Sequence, residues 1–330
     1  MDDKAMIRTY GNTNLPEETP ESPLVTFALL AYNQEKYIRE AVEGAFCQTY
    51  SPLEIILSDD CSSDRTFEIM EVMAAAYTGP HIIRLRQNTE NIGIARHLNA
   101  ITKEFSGRYL ILAAGDDISV AERTAACVAA MEDLGMPLVH SMVTYIDEKS
   151  KDTAYQRTHA PLLWAPIDAS SAATSTSLYI GATGAISRDL HAKFGQILFP
   201  QAYEDLVFGF RSVIGGGSHF IEQRLVRYRI GVGVSHIQPN LSNKEKKEKD
   251  KRGLKAHADV YRQRLLDLDA VGGDYEKVRA LLSERLHESE LRIARRDGVS
   301  ALFFACIRRP SLSLKIIVKK IRLSRTPNNS

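Results

Sequence analysis

The 330 residues hold no apolar run approaching the roughly 20 residues that a bilayer-spanning helix needs. The longest runs, such as 109–114, have the length of a strand. Cysteine is scarce too. Cys47, Cys61, Cys127 and Cys306 lie far apart and form no C-x-x-C pair, which removes a zinc cage and a disulfide framework and fits a reducing compartment. Neither charge is in excess: 42 Lys and Arg stand against 41 Asp and Glu, a formal net charge of +1, so no overall field favours nucleic acid. Residues 1–23 lack the apolar core of a secretory leader. Polar and rich in Glu, Thr, Asn and Pro, they read as a disordered arm on a cytoplasmic protein. Internal repeats are missing, and no G-x-G-x-x-G follows the first strand-like run, which speaks against a nicotinamide-dependent oxidoreductase.

What is present is a composition able to build a large core, 44% hydrophobic and 25% charged. The first half alternates short apolar runs with amphipathic segments, the signature of β-α-β units and a parallel sheet. Strands are expected at 24–30, 53–57, 82–86, 109–113 and 138–145, and helices at 35–46, 63–77, 94–102 and 120–134. Residues 147–173 read as an irregular acceptor loop or lid, and 178–234 as a mixed region that completes one domain. Beyond 236 a charged run at 244–255, read as a solvated helix face, leads into helical periodicity through 256–296.

Three acidic pairs stand out: Asp59-Asp60 and Asp116-Asp117 at expected strand ends, and Glu204-Asp205 at the start of an apolar helix. Open α/β sheets bind ligands outside the carboxyl ends of their strands. Hard divalent cations take carboxylate oxygens there and keep waters and substrate phosphates as further ligands. A carboxylate nearby can take a proton from a hydroxyl. Taken singly, each pair reads equally well as a helix N-cap.

Order and spacing add to this. The runs Leu24 to Asn33, Gln48-Thr49-Tyr50, Ser58-Asp59-Asp60-Cys61-Ser62-Ser63-Asp64, Asn91-Ile92-Gly93-Ile94-Ala95-Arg96, Gly115-Asp116-Asp117, Glu204-Asp205 and Tyr228-Arg229 together resemble family 2 glycosyltransferases over about residues 24–236. The resemblance implies the α/β GT-A fold, a Rossmann-like sheet flanked by helices, with a nucleotide-sugar-binding half at 24–118 and an acceptor-binding half at 119–236. It implies inverting transfer of one sugar from a nucleotide-sugar donor to a glycan or lipid-linked acceptor with Mn2+ or Mg2+. Carried over by position, Ala31, Tyr32, Asn33 and Glu35 meet the nucleotide, Asp60 holds the base with Asp59 beside it, and Asn91, Gly93, Arg96 and Arg229 complete the donor site. Asp117 becomes the metal ligand, Asp116 a ribose contact or second ligand, and Asp205 the catalytic base with Glu204 as neighbour. Ala114 departs from the many relatives with a further aspartate there, so this site has fewer carboxylates. A non-catalytic sugar-binding module on the same fold is the alternative.

His236 falls where relatives have a loop over the donor, and Trp164 suits packing better than acceptor stacking. The extension 237–330 ends in a basic amphipathic stretch, 312–325, with Leu314, Ile317, Val318 and Ile321 on one face and Lys315, Lys319, Lys320 and Arg322 largely opposite. That stretch either lies on an anionic membrane, suiting a lipid-linked acceptor and bacterial cell-surface polysaccharide synthesis, or packs on Phe303 and Phe304. Oligomeric state stays open.

Overall fold

A computed structural model describes residues 5–11, 19, 22–157, 159–232 and 242–316. Strands β1 (Met6–Gly11), β2 (Val25–Ala31), β3 (Leu53–Asp59), β4 (Ile82–Gln87) and β5 (Tyr109–Ala114) alternate with α1 (Ile38–Phe46), α2 (Thr66–Ala75) and α3 (Ile94–Glu104). Then follow β6 (Ile118–Ser119), α4 (Arg123–Leu134), β7 (Leu138–Ile146), α5 (Ala169–Thr174), β8 (Gly184–Ser187), α6 (Arg188–Phe194), α7 (Glu204–Gly215) and β9 (His219–Arg229). Helices α8 (Asn243–Val271), α9 (Glu276–Asp297) and α10 (Val299–Arg308) complete the named elements.

The nine strands form one sheet in the order β1-β4-β3-β2-β5-β8-β7-β9-β6. Every residue of β2 and β3 is buried, as expected of parallel strands covered on both faces. Alternation sorts β2 between two cores. Phe27 and Leu29 pack with α1, α2 and α4, whereas Ala28 and Leu30 pack with α3, α7, α8 and α9. The parallel run β4-β3-β2-β5 gives way to a mixed half, because β8 runs antiparallel to both β5 and β7.

That reversal sets the site. With Ile111 of β5 opposite Ala185 of β8, the start of β8 lies at the edge where β5 ends. The short helical turn Gly181–Thr183 that precedes β8 therefore lies there too. Strand β7 points the same way as β5, and its last residue, Ile146, pairs with Arg229 at the end of β9. One sheet edge thus collects the ends of β2, β3, β5, β7 and β9.

Two parts differ from the sequence expectation. Within the supposedly disordered arm 1–23, β1 is an antiparallel edge strand on β4, helped by an Arg8–Glu71 ion pair. Five of its six residues are exposed, so backbone pairing that covers an open edge, not hydrophobicity, holds it. At the other end, the helices beyond 242 share the core: Ala258, Val260, Tyr261 and Leu268 of α8 and Leu282 and Leu286 of α9 join the cluster containing Leu206 and Phe210. The charged run is the first half of α8, started by a Ser242–Glu245 capping box. His236 and the segment 317–325 lie outside the described residues.

Candidate active site

At the β3 corner, Asp59 and Asp60 are buried and their oxygens are engaged by the chain itself. Asp59 accepts from the Ser62 amide at 2.9 Å, from Gln87 Nε2 at 3.0 Å and from the Ser62 hydroxyl. Asp60 accepts from Asn88 Nδ2 at 2.7 Å and from the Ile92 and Gly93 amides at 3.0 and 2.9 Å. Asn91 Oδ1 also accepts from the Gly93 amide, at 3.2 Å. Gly93 takes φ 79°, backbone that favours glycine. Asp60, expected to hold the base, first of all holds the 88–93 turn. Arg96 is exposed on the first turn of α3, directly after it.

Residues 31–35 interlock with 60–66. The Asp60 amide donates to the Ala31 carbonyl at 2.9 Å. Asn33, in left-handed backbone at φ 52°, donates its amide to Ser62 Oγ at 2.8 Å and accepts the Ser63 amide at 2.8 Å; Asn tolerates that conformation through such local bonds. Glu35 accepts the Arg65 amide at 3.1 Å. Tyr32 is 45% exposed, the large aromatic residue this segment leaves open.

Gly115 follows β5 so closely against β2 that a Cβ would collide with Gln34 Oε1 and Ala31 Cβ. Gln34 in turn hydrogen-bonds the Asp116 carboxylate. Burial raises Asp116; burial and the Asp116 charge raise Asp117 well above the usual carboxylate range, with Arg229 pulling it back. The Arg229 amide donates to Asp117 Oδ1 at 2.8 Å.

Arg229, expected in the donor site, has its guanidinium engaged by the chain itself. Its Nε donates to the Asp116 carbonyl at 2.9 Å, Nη1 to the Asp147 carbonyl at 2.8 Å and Ser150 Oγ at 3.0 Å, and Nη2 to Glu40 Oε2 at 2.6 Å. The Tyr37 ring lies 4.6 Å from its Cζ. With each guanidinium nitrogen engaged and the side chain 0% exposed, Arg229 braces the acidic turn from behind.

Glu204 and Asp205 open α7 at the same sheet edge. Gly181 lies against them: a Cβ there would come within 2.7 Å of Glu204 Oε1 and 3.5 Å of Asp205 Cβ. Burial raises Glu204 to about 7, with the Asp205 charge adding to it. Burial raises Asp205 to about 6, against the Leu206 amide, which donates at 2.7 Å, and the cations Arg264 and Arg157. Helix-start capping alone would lower both groups, so desolvation outweighs the helix dipole here.

Two neighbours escaped the sequence reading. The Tyr179 hydroxyl is buried beside the pair with no hydrogen-bond partner among the described residues, and burial and both acidic charges raise it. Arg264, wholly buried on α8, donates to the Leu206 carbonyl at 2.9 Å and to Ala173 and Ser175 carbonyls at 2.8 and 3.0 Å. Tyr179 stands between the apolar Leu178 and Ile180, and Arg264 stands in a helix rich in charge, so neither carries a local signal in the sequence. Trp164 stacks on Phe220 at 4.9 Å and 10°, a packing role.

Among the described residues no cluster of three or more His, Cys, Asp and Glu could hold a metal. The adjacent Asp116 and Asp117 nonetheless fit a hard divalent cation. They are oxygen donors, their charges are under-solvated and repel each other, and such a cation needs one or two carboxylates when phosphates and water complete its shell. No described helix is long and apolar enough to cross a membrane.

Known structures share the fold. A Staphylococcus aureus TarS fragment solved with UDP-GlcNAc superposes with a TM-score of 0.54 at 13% identity, over 88% of this chain and 89% of that one. The mannosyltransferase PcManGT of Pyrobaculum calidifontis, solved with GDP-Man and Mn2+, gives 0.51 at 16% identity over 92% and 81%. Identities this low speak for fold alone, and the fold is GT-A. In sequence, the putative glycosyltransferase EpsE of Bacillus subtilis is 36% identical over 110 residues, 33% of this chain and 39% of that protein. The first relatives are matched over between a quarter and two fifths of their own length. The family description "Glycosyl transferase family 2" matches residues 26–195, just over half of the 330 residues. The chain belongs to the family 2 glycosyltransferases.

Proposed function

We propose that the chain is an inverting glycosyltransferase that moves one sugar from a nucleoside-diphosphate sugar to a glycan or lipid-linked acceptor of a cell-surface polysaccharide. On this reading it works in the cytoplasm with Mn2+ or Mg2+ at Asp117 and Asp116. The observation that carries the reading is the meeting at one sheet edge of two desolvated acidic pairs, Asp116-Asp117 and Glu204-Asp205, one suited to a cation and the other to a proton. The ligands named for TarS and PcManGT, UDP-GlcNAc and GDP-Man, support a nucleoside-diphosphate sugar as the donor class.

Asp117 and Asp116 would hold the cation, which would supply neutralising charge to a departing diphosphate. The interlocked 31–35 segment and the 88–93 turn form the nucleotide side of the edge, with the exposed Tyr32 ring as an aromatic wall. Asp205 takes the proton of the acceptor hydroxyl while that oxygen bonds to the anomeric carbon. The bond from that carbon to the diphosphate oxygen breaks, and its electron pair leaves with the diphosphate. A single displacement inverts the anomeric centre. A carboxylate titrating near 6 is a stronger base than an ordinary aspartate yet stays largely ionised at neutral pH.

A panel of nucleotide sugars tested by thermal shift and turnover, with and without Mn2+, checks these roles. We expect one donor to stabilise the protein in a metal-dependent way, Asp117→Ala to lose that stabilisation, and Asp205→Asn to keep it while losing turnover. Failure of every nucleotide sugar to bind would overturn the proposal.

A further inference from the structure

Helix α10 has no buried residue. Val299, Phe303, Phe304 and Ile307 are 86, 61, 63 and 55% exposed, and Leu314 beyond the helix is 63% exposed. Val299, Phe303 and Ile307 recur every fourth residue, so they form one stripe along α10 with Phe304 beside it. Apolar patches of this kind on a folded surface mark interaction sites. The packing of 312–325 on Phe303 and Phe304 that the sequence offers as one reading falls largely on residues outside the described ones.

Along the chain from α10 onward the charge is of one sign, although Asp259, Glu290 and Asp297 of α8 and α9 line the same cavity as Phe304, Arg308 and Arg309. From Gly298 to Ser330 the sequence has no Asp or Glu; Arg308, Arg309 and Lys315 are followed by Lys319, Lys320 and two further arginines. Of the first three, Lys315 pairs with Glu284 of α9 at 2.8 Å. This is a cationic end on a chain whose net charge is only +1.

We propose that α10 is a membrane-docking helix, its Val299–Phe303–Ile307 stripe and Phe304 entering the headgroup boundary of an anionic bilayer while Arg308 and Arg309 meet lipid phosphates. Amphipathic helices bind such interfaces through buried apolar area together with attraction to anionic lipid. A second copy of this chain would bring the same cations against each other, and the residues after 316 carry no acid that could answer Arg308 and Arg309. A lipid surface supplies both the apolar phase and the counter-charge. The inference stands apart from the donor chemistry.

The test uses the full chain and vesicles of phosphatidylcholine with or without phosphatidylglycerol. We expect salt-sensitive co-sedimentation with the phosphatidylglycerol vesicles, weakened at least tenfold in F303S/F304S/I307S at an unchanged melting temperature. Should that variant misfold, Phe303→Trp serves instead, its emission moving to the blue on phosphatidylglycerol vesicles. No binding, binding undiminished in the folded triple variant, an unmoved emission from Phe303→Trp, or an α10-dependent dimer in light scattering without vesicle binding would each overturn the proposal. Donor turnover measured in solution on the same samples separates this outcome from any failure of the catalytic reading.

Discussion

At the scale of single residues, the site depends on carboxylates held where water is thin. Folded Glu204 and Asp205 titrate above their ordinary values, to about 7 and about 6. Between the unfolded and folded values the native state binds more protons, so stability falls as pH rises through that window. Glu204→Gln should therefore raise the melting temperature at pH 8 and leave it nearly unchanged at pH 4, which scanning calorimetry at the two pH values will show. On the proposed role of Asp205 as base, activity has the opposite sign: kcat should climb as pH passes about 6. Gly181→Ala would push the end of Glu204, a flexible side chain, and leave the backbone in place. We expect kcat to fall about ten- to a hundredfold, since misplacement by an ångström has that scale, with the unfolding midpoint little changed. Most of these carboxylates were legible in the sequence because each sits in a short local pattern. The bracing bonds of Arg229 were not legible: its bond to Asp117 joins residues 112 positions apart, and no local pattern reports whether an arginine is buried.

At the scale of elements, α7 is fastened to α8 by buried arginines. Arg211 on α7 meets Asp267 on α8 through Nε and Nη2, both at 3.0 Å, with Gln263 Nε2 also donating to Asp267 at 2.9 Å. Asp267→Ala would strand a fully buried guanidinium, and we expect a loss of about 3–5 kcal/mol in urea unfolding. Arg264→Lys keeps a cation but loses the fork that spans the Leu206, Ala173 and Ser175 carbonyls. A less well-placed cation should leave the kinetic pKa of the base higher than in the native enzyme, which a kcat–pH profile will reveal. The helical period of α8 was readable, but its inward face was hidden because Arg264 and Asp267 sit in a helix rich in charge. Strand β1 was missed for the converse reason, since an edge strand held by backbone bonds needs no apolar alternation.

At the scale of the molecule, the C-terminal helices complete the core on the α3 and α7 face of the sheet, so the packed core runs on past residue 236, where the family resemblance ends. A chain cut after residue 241 would expose Leu206, Phe210 and their neighbours in the shared cluster. We expect it to lose cooperative thermal unfolding by circular dichroism. The alternation of strands and helices was legible because both faces of the sheet are covered; the closing of the second core was not, because it joins segments far apart in the chain. The Arg229 brace constrains anyone who would re-engineer the enzyme. Residues 147–150 supply two of its acceptors, and α1 supplies a third through Glu40. A loop transplanted from a relative to alter acceptor choice must therefore bring a hydroxyl for position 150 and keep the carbonyl at 147 in place, or the graft will disturb the two aspartates along with the specificity it was meant to change.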